Sequence, residues 1–227
     1  MTVSHGLTGV EDAGAFLARL TRLDPRALVR LRGDETLGRT TLWARLPWRV
    51  LVARTVAGAG PRDTTVAAAE LLAELARGGV ALPPERDREW RWALPPVGAR
   101  VVERLVAADL WRVATAAAQT VRAAAAGGVR GRLVGQRLLR EALLDHVAIV
   151  VTPEDGAPVE VPQRLVQAIV RMGFLGSVPE ADQADDDRPV HVRLAGRWVG
   201  LSAPYGIAWL PAVDNLVTRL VSAHTKV

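Results

Sequence analysis

Residues 27–56 read ALVRLRGDETLGRTTLWARLPWRVLVARTV, and their patterning decides the kind of fold the chain adopts. From Ala27 to Arg32, Leu28, Arg30 and Arg32 alternate with Val29 and Leu31, the period of a strand with one face buried. Thr40 to Leu46 and Trp48 to Val56 are β-branched and aromatic, which suits two further strands. Gly33-Asp34 and Gly38 punctuate the first connection, and Pro47 marks a tight corner before Trp48. Three strands in succession with short turns predict an antiparallel meander.

Upstream, Gly9 to Leu23 carries Ala13, Phe16, Leu17 and Leu20 at helical spacing, and Asp24-Pro25 ends the run. Downstream, Asp63 is placed as the N-cap of a helix from Thr64 to Arg77 that Gly78-Gly79 terminates. The far end of the chain has the same plan. Pro162 stands at the first position of a helix running to about Met172, capped by Gly173. A hairpin of Val190 to Leu194 and Arg197 to Leu201 turns at Ala195-Gly196, a third strand covers Tyr205 to Leu210, and Ala212 to Ser222 forms a closing helix. Val29-Arg30-Leu31 resembles Val192-Arg193-Leu194, and Pro47-Trp48 resembles Pro204-Tyr205.

Between these ends, Leu82 to Pro96 holds two Pro-Pro pairs around Trp90 and Trp92, a surface connector with its tryptophans partly tucked down. Val97 to Ala126 is the longest helix candidate, its apolar stripe being Val102, Val106, Leu110, Val113, Ala117 and Val121. Gly127-Gly128 breaks it, and Arg130 to Asp145 returns as a second helix. His146 to Val151 is a short apolar strand that Pro153-Glu154-Asp155-Gly156 turns back through Val159 to Val161. The expected fold class is therefore α+β: two helix/three-strand-meander/helix units, a pseudo-repeat, joined by a central helical hairpin. The corresponding divisions are 1–81, the connector 82–96, the hairpin 97–146 and the C-terminal unit 147–227, which together fit one compact domain.

Composition narrows the function. The chain of 227 residues has no cysteine, which excludes disulfides, thiolate nucleophiles and cysteine zinc sites. Lys226 is the only lysine among 29 basic side chains, and the net charge is only +5. The pI of about 10.9 thus reflects arginine's high pKa more than a large charge excess. Such usage fits a G+C-rich bacterial genome. Met1 to Gly6 has neither a basic nor an apolar signal region, and acidic or basic residues interrupt every long apolar run, so a cytoplasmic protein without membrane spans is expected.

Catalytic constellations are scarce. His5, His146, His191 and His224 have no ligand spacing and read as structural. Ser202 lacks the Gly-x-Ser-x-Gly context of a nucleophile elbow. Gly58-Ala59-Gly60-Pro61-Arg62-Asp63 sits between a strand and a helix, where a phosphate loop belongs, but Asp63 replaces the third glycine and repels phosphate. The run Asp182 to Asp187 lacks the glycine and terminal glutamate of a calcium loop and reads as a solvated segment. No cofactor, metal or small-molecule ligand is expected.

Charge is segregated instead. Residues 96–146 carry eight basic and four acidic side chains, and residues 147–188 carry three and eight. Arg130, Arg132, Arg137 and Arg140 crowd the start of one helix, where the macrodipole adds to their field. They form either a phosphate-contacting surface or an ordinary arginine-coated helix, with Glu141 relieving Arg137.

Arg164-Leu165-Val166, Ile169-Val170, Gly173-Phe174-Leu175, Pro179-Glu180, Asp186 to Leu194 and Gly196-Arg197 resemble the end of the recognition helix and the wing of MarR-type winged-helix regulators. The resemblance implies DNA binding, with Arg188 near the wing tip and Gln163, Arg164 and Gln167 facing the major groove.

Two functional readings follow. The preferred one is a non-catalytic binding or adaptor protein of a bacterial cytoplasm, acting through a protein partner or a homo-oligomer. Trp43, Trp48, Trp90, Trp92 and Trp198 are its candidate anchors, because Trp and Arg are the residues that anchor interfaces. The alternative is a winged-helix-like DNA-binding regulator using Arg130, Arg132, Arg137, Arg140 and Arg188. An enzyme of unknown class stands third.

Overall fold

The computed structural model describes residues 3–127, 136–153, 156–176 and 188–211. The meander forms as its alternation requires: β1 (Leu28–Asp34), β2 (Arg39–Arg45) and β3 (Leu51–Ala57) pair antiparallel, with Arg30 opposite Trp43 and Trp43 opposite Ala53. Val29, Leu31, Leu42, Ala44, Val52 and Val56 thereby share one buried face. Helix α1 (Val10–Leu23) lays Ala13, Phe16, Leu17 and Leu20 on that face. Helix α2 (Ala68–Ala76) adds Ala68, Leu71 and Leu75.

The segment Thr64–Ala67, expected as the first turn of a helix, is instead strand β4, which pairs with the free edge of β1. Two threonines and a valine in sequence favour the pleated conformation once an open edge lies within reach. Asp63 does not cap. Its carboxylate accepts two hydrogen bonds from Arg30, at 2.6 and 2.7 Å, and lies 3.6 Å from Arg32. The hydrogen bonds from Arg30 hold the Asp63 carboxyl below its ordinary value, so the ionised form stabilises the native state above the usual carboxylate range. That contribution is lost as pH falls through the lowered native pKa. In Asp63→Asn the decline of stability below about pH 4 should be shallower than in the parent, as read by urea midpoints across pH. An unchanged acid limb would dissociate Asp63 from Arg30.

The second meander has the same form. Strands β8 (Pro189–Ala195), β9 (Trp198–Ala203) and β10 (Gly206–Pro211) pair in order, and helix α5 (Gln163–Arg171) covers their inner face with Leu165, Val166, Ala168 and Ile169. The residues 100–106, expected inside a long helix, are strand β5 (Arg100–Val106), which pairs with β8. The helix α3 (Ala107–Gly127) starts where β-branched residues give way to alanine. Val102 and Val106 therefore belong to a sheet edge, and the buried stripe of α3 begins at Ala107, Leu110 and Ala114. Helix α4 (Gln136–Asp145) packs on α3 and α5. Strands β6 (Val147–Val151) and β7 (Val159–Pro162) form a separate hairpin. The expected strand from Trp48 begins only at Leu51, because Leu46 to Val50 closes the turn. The expected helix from Ala212, the start of the helix at Arg130 and the run Asp182 to Asp187 lie outside the described residues.

The eight strands form one antiparallel sheet in the order β4-β1-β2-β3-β10-β9-β8-β5. Each half contributes an edge strand followed by the first, second and third strands of a meander, and the two third strands meet in the middle. Leu51 pairs with Trp209, Val52 with Ala208 and Ala53 with Ile207. The fold is α+β, built from two like units whose equivalent strands join back to back.

Candidate functional site

Alternation that buries valines and leucines on one face sends Arg30, Trp43, Arg45, Leu51 and Trp209 to the other. There a smaller apolar cluster forms around Leu51, Ala195 and Trp209, with Trp43, Trp90 and Trp198 packed against it. Trp90 arrives on the connector. The Thr65 amide donates to the Asp87 carboxylate at 2.5 Å, and the Arg86 amide donates to the Thr65 carbonyl at 2.8 Å, fastening a single 3-10 turn (Asp87–Glu89) to the edge of β4. Beyond it, Trp90 and Trp92 meet edge to face with centroids 5.1 Å apart, and the Trp90 indole donates to the Trp92 carbonyl. Arg30 lies 5.7 Å from the Trp90 ring centroid and Arg45 lies 5.0 Å from that of Trp92.

Of the five candidate tryptophans, the structure brings four together and leaves one apart. Trp43, Trp90, Trp92 and Trp198 are half-buried on or beside this outer face. Trp48 packs against the main core from the β2–β3 turn, its indole donating to the Arg164 carbonyl at 3.3 Å. Arg164 answers by donating to the Trp48 carbonyl at 3.2 Å and pairing with Asp145. This exchange ties the two units together across 116 residues of sequence.

At the end of the β3–β10 joint nearest this tie, a cavity of about 1140 Å³ opens. Trp92 and Trp198 form its aromatic wall, while Leu51, Leu194, Val199 and Leu210 supply aliphatic surface from both halves of the sheet. The β6–β7 hairpin closes the far side through Val147 and Val159. Arg45, Arg49, Arg91 and Arg164 line it, against Asp145 and Glu160. Burial, and then the charge of Arg49, push down the pKa of both Arg45 and Arg164. A chamber with an aromatic and aliphatic wall and an excess of guanidinium groups can desolvate apolar side chains and seat anions together.

Sequence reasoning reached Trp92 and Trp198 but missed Arg45 and Arg49 as parts of a site. A signal existed for both: Arg45 follows Trp43 with strand alternation, and Arg49 falls in the turn that Pro47 announces.

The nucleic-acid candidates are dispersed. Arg130 and Arg132 lie outside the described residues, and Arg137 and Arg140 stand on α4. Arg188 is half-buried beside the start of β8, its carbonyl accepting the Ala107 amide at 3.0 Å. Gln163 is only 3% exposed, and Arg164 turns toward Trp48 and Asp145. The β8–β9 hairpin, read from sequence as a wing, is flanked in the sheet by β5 and β10.

His5 is structural: the Leu7 amide donates to Nδ1, so Nε2 carries the proton and donates to the Gly79 carbonyl, both at 3.0 Å. Two amides of the loop from Gly58 to Asp63 are taken up within the protein. Gly58 N–H bonds the Gly38 carbonyl, and Gly60 N–H bonds the Thr40 hydroxyl. A strand rather than a helix follows that loop, so the phosphate-loop geometry is absent there. Among the described residues no three His, Asp or Glu side chains are grouped to hold a metal, and no helix is long and apolar enough to cross a membrane.

Residues 94–214 match the family described as Domain of unknown function (DUF8185), and residues 6–93 match Domain of unknown function (DUF8010). No curated protein matches the chain. Among solved structures, the chain is similar to the DNA polymerase sliding clamp of Caulobacter crescentus, at 11% identity and a TM-score of 0.51, over 95% of this chain and 67% of that one. It is likewise similar to the DNA polymerase III β subunit of Thermotoga maritima, at 12% identity and a TM-score of 0.50, over 94% of this chain and 64% of that one. The sliding clamp of Bartonella birtlesii bound to griselimycin matches at 13% identity and a TM-score of 0.51, over 93% and 65%. These likenesses show a sliding-clamp-like fold. The chain spans about two thirds of the length of the clamps it matches.

Proposed function

The chain belongs to the family described as Domain of unknown function (DUF8185), which matches more than half of it, and from that premise we propose that it is a non-catalytic binding protein of a bacterial cytoplasm whose partner protein docks in the cavity at the β3–β10 joint. The observation that carries this reading is the cavity itself: about 1140 Å³, walled by Trp92 and Trp198, with four arginines at its surface. Tryptophan and arginine are the usual anchors of protein interfaces. The fold adds support, since the similar structures are sliding clamps, and one of them is bound to griselimycin.

The double variant Trp92→Ala/Trp198→Ala should lose partners that the parent chain retains from extracts of its source cell. An anchor truncation typically costs about 2 kcal/mol or more, roughly thirtyfold in affinity. Arg22→Ala, on the exposed side of α1, serves as the control and should retain them. Equal recovery by all three proteins would remove the cavity from the interface.

A second reading, association with duplex DNA, is favoured by the DNA polymerase named in the similar structures. A mobility-shift series with duplex DNA at rising salt separates the two readings. Binding that survives Trp92→Ala/Trp198→Ala and weakens steeply with salt belongs to phosphate contacts. The absence of any shift at about 50 mM salt sets the DNA reading aside.

A further inference from the structure

The turn that places Arg49 in the cavity is built against local preference. Arg49 N–H donates to the Leu46 carbonyl at 2.9 Å and Leu46 N–H to the Val50 carbonyl at 2.8 Å, a three-residue hairpin loop in which Arg49 occupies the left-handed position with φ of 70°. That position ordinarily takes glycine, because a Cβ crowds the following carbonyl there. Arg49 is the one residue other than glycine with positive φ among the described residues. Backbone held in so sparsely populated a conformation clusters at ligand clamps and active sites.

A second cost points the same way. Arg49 is exposed at the rim, adds its charge to the burial that lowers the pKa of Arg45 and Arg164, and makes no ion pair of its own among the described residues. Of the two acids on the wall, Asp145 already pairs with Arg164, which leaves Glu160 against Arg45, Arg49 and Arg91. Three guanidinium groups are thus gathered at one recess where the acids among the described residues do not balance them, and an anionic ligand would supply the missing charge.

The remainder of the wall selects the ligand's other half. Trp92 already packs against Trp90 and lies under Arg45, so it does not present two open faces for a nucleobase. Leu51, Leu194, Leu210 and Val199 offer aliphatic surface that suits leucine-like or phenyl side chains. A volume of about 1140 Å³ accommodates several residues of extended chain.

We propose that the cavity takes an acidic segment of the partner protein, its apolar side chains against Trp198 and the leucines and its carboxylates on Arg49 and Arg45. Arg49 is the residue that selects for acid. This rests on the reading that the cavity is the partner site.

The test is selection of a displayed random-peptide library on the full chain, with Trp92→Ala/Trp198→Ala and Arg49→Gly panned in parallel. The expected result is enrichment of peptides that combine Asp or Glu with Leu, Phe or Ile, with no such enrichment on the double tryptophan variant. A synthetic copy of a selected peptide should bind Arg49→Gly about tenfold more weakly than the parent chain, the worth of one charge-assisted hydrogen bond. Arg49→Gly should meanwhile melt no lower than the parent chain, because glycine suits the left-handed turn, so weakened binding cannot be ascribed to unfolding. Enriched peptides that are apolar but carry no acid, or equal affinity for the parent chain and Arg49→Gly, would overturn the selection for acid while leaving a peptide site in place. Failure to enrich any peptide, or the same peptides on the double tryptophan variant, would overturn the cavity as the partner site. Displacement of the peptide by a single-stranded oligonucleotide at equal concentration would assign the arginines to nucleic acid instead.

Discussion

Replacing Trp209 with alanine is expected to destabilise the protein by about 3–5 kcal/mol, the cost of emptying a buried aromatic site. Trp209 is 4% exposed and is the largest buried side chain of the outer cluster. It sits opposite Leu51 at the ladder that, among the described residues, joins the two units. Its indole lies over Gly200, where an added Cβ would stand 2.4 Å from the ring. Removing the indole therefore takes away the packing of Leu51, Ala195 and Trp198 together. Chemical denaturation followed by far-UV circular dichroism measures the effect, since the change removes one of the seven tryptophan fluorophores. A loss below about 1 kcal/mol would mean that the joint does not depend on this cluster.

Phe174→Ala and Phe16→Ala should each cost a similar amount, about 3–5 kcal/mol, and the two losses should not add. Phe16 lies on α1 and Phe174 follows α5, so their stacked rings, with centroids 6.3 Å apart and planes within 2°, clasp the two units on the inner face. Both are essentially inaccessible to solvent. Gly206 makes room for the Phe174 ring, since a Cβ there would approach it to 2.5 Å. A double-mutant cycle should return a coupling of about 0.5–1.5 kcal/mol beyond the burial of each ring. All variants should still unfold in one transition, because the halves still share one continuous sheet through the β3–β10 ladder. Strict additivity would place the rings in separate environments.

The legible part of the fold was the local part. Alternation in β1 to β3, the helical stripe of α1 and the β8–β9 hairpin are written in neighbouring residues, and the structure follows them. Strands β4 and β5 were not legible in the same way. Thr64-Thr65-Val66 and Arg100 to Val106 become strands because each finds an open edge, β1 or β8, far away in sequence. Asp63 shows the same effect at a single side chain: a strand rather than a helix follows it, and its carboxylate pairs with Arg30, 33 residues away. Helical spacing of Val102, Val106 and Leu110 fits a long helix equally well, and nothing local separates the two outcomes.

The candidate site divides along the same line. Trp92 and Trp198 are recognisable by residue type, yet nothing in the sequence sets apart Trp209, the most deeply buried member of that group. Alternation and Pro47 place Arg45 and Arg49 at a strand end and its turn, but no pattern within either segment announces that this turn meets Arg164 on α5. The arginine excess looked like compositional habit. Its informative member is the one held in a turn that prefers glycine.

The most direct test of partner docking at the joint is site-specific photo-crosslinking in the source cell. A photoreactive residue replaces Arg91, which lines the cavity and is exposed, or Arg22 on the opposite, helical side as the control. Discrete adducts from position 91, absent from position 22 and lost in the Trp92→Ala/Trp198→Ala background, are the expected result. Adducts that form equally at both positions, or from position 22 alone, would contradict docking at the β3–β10 joint.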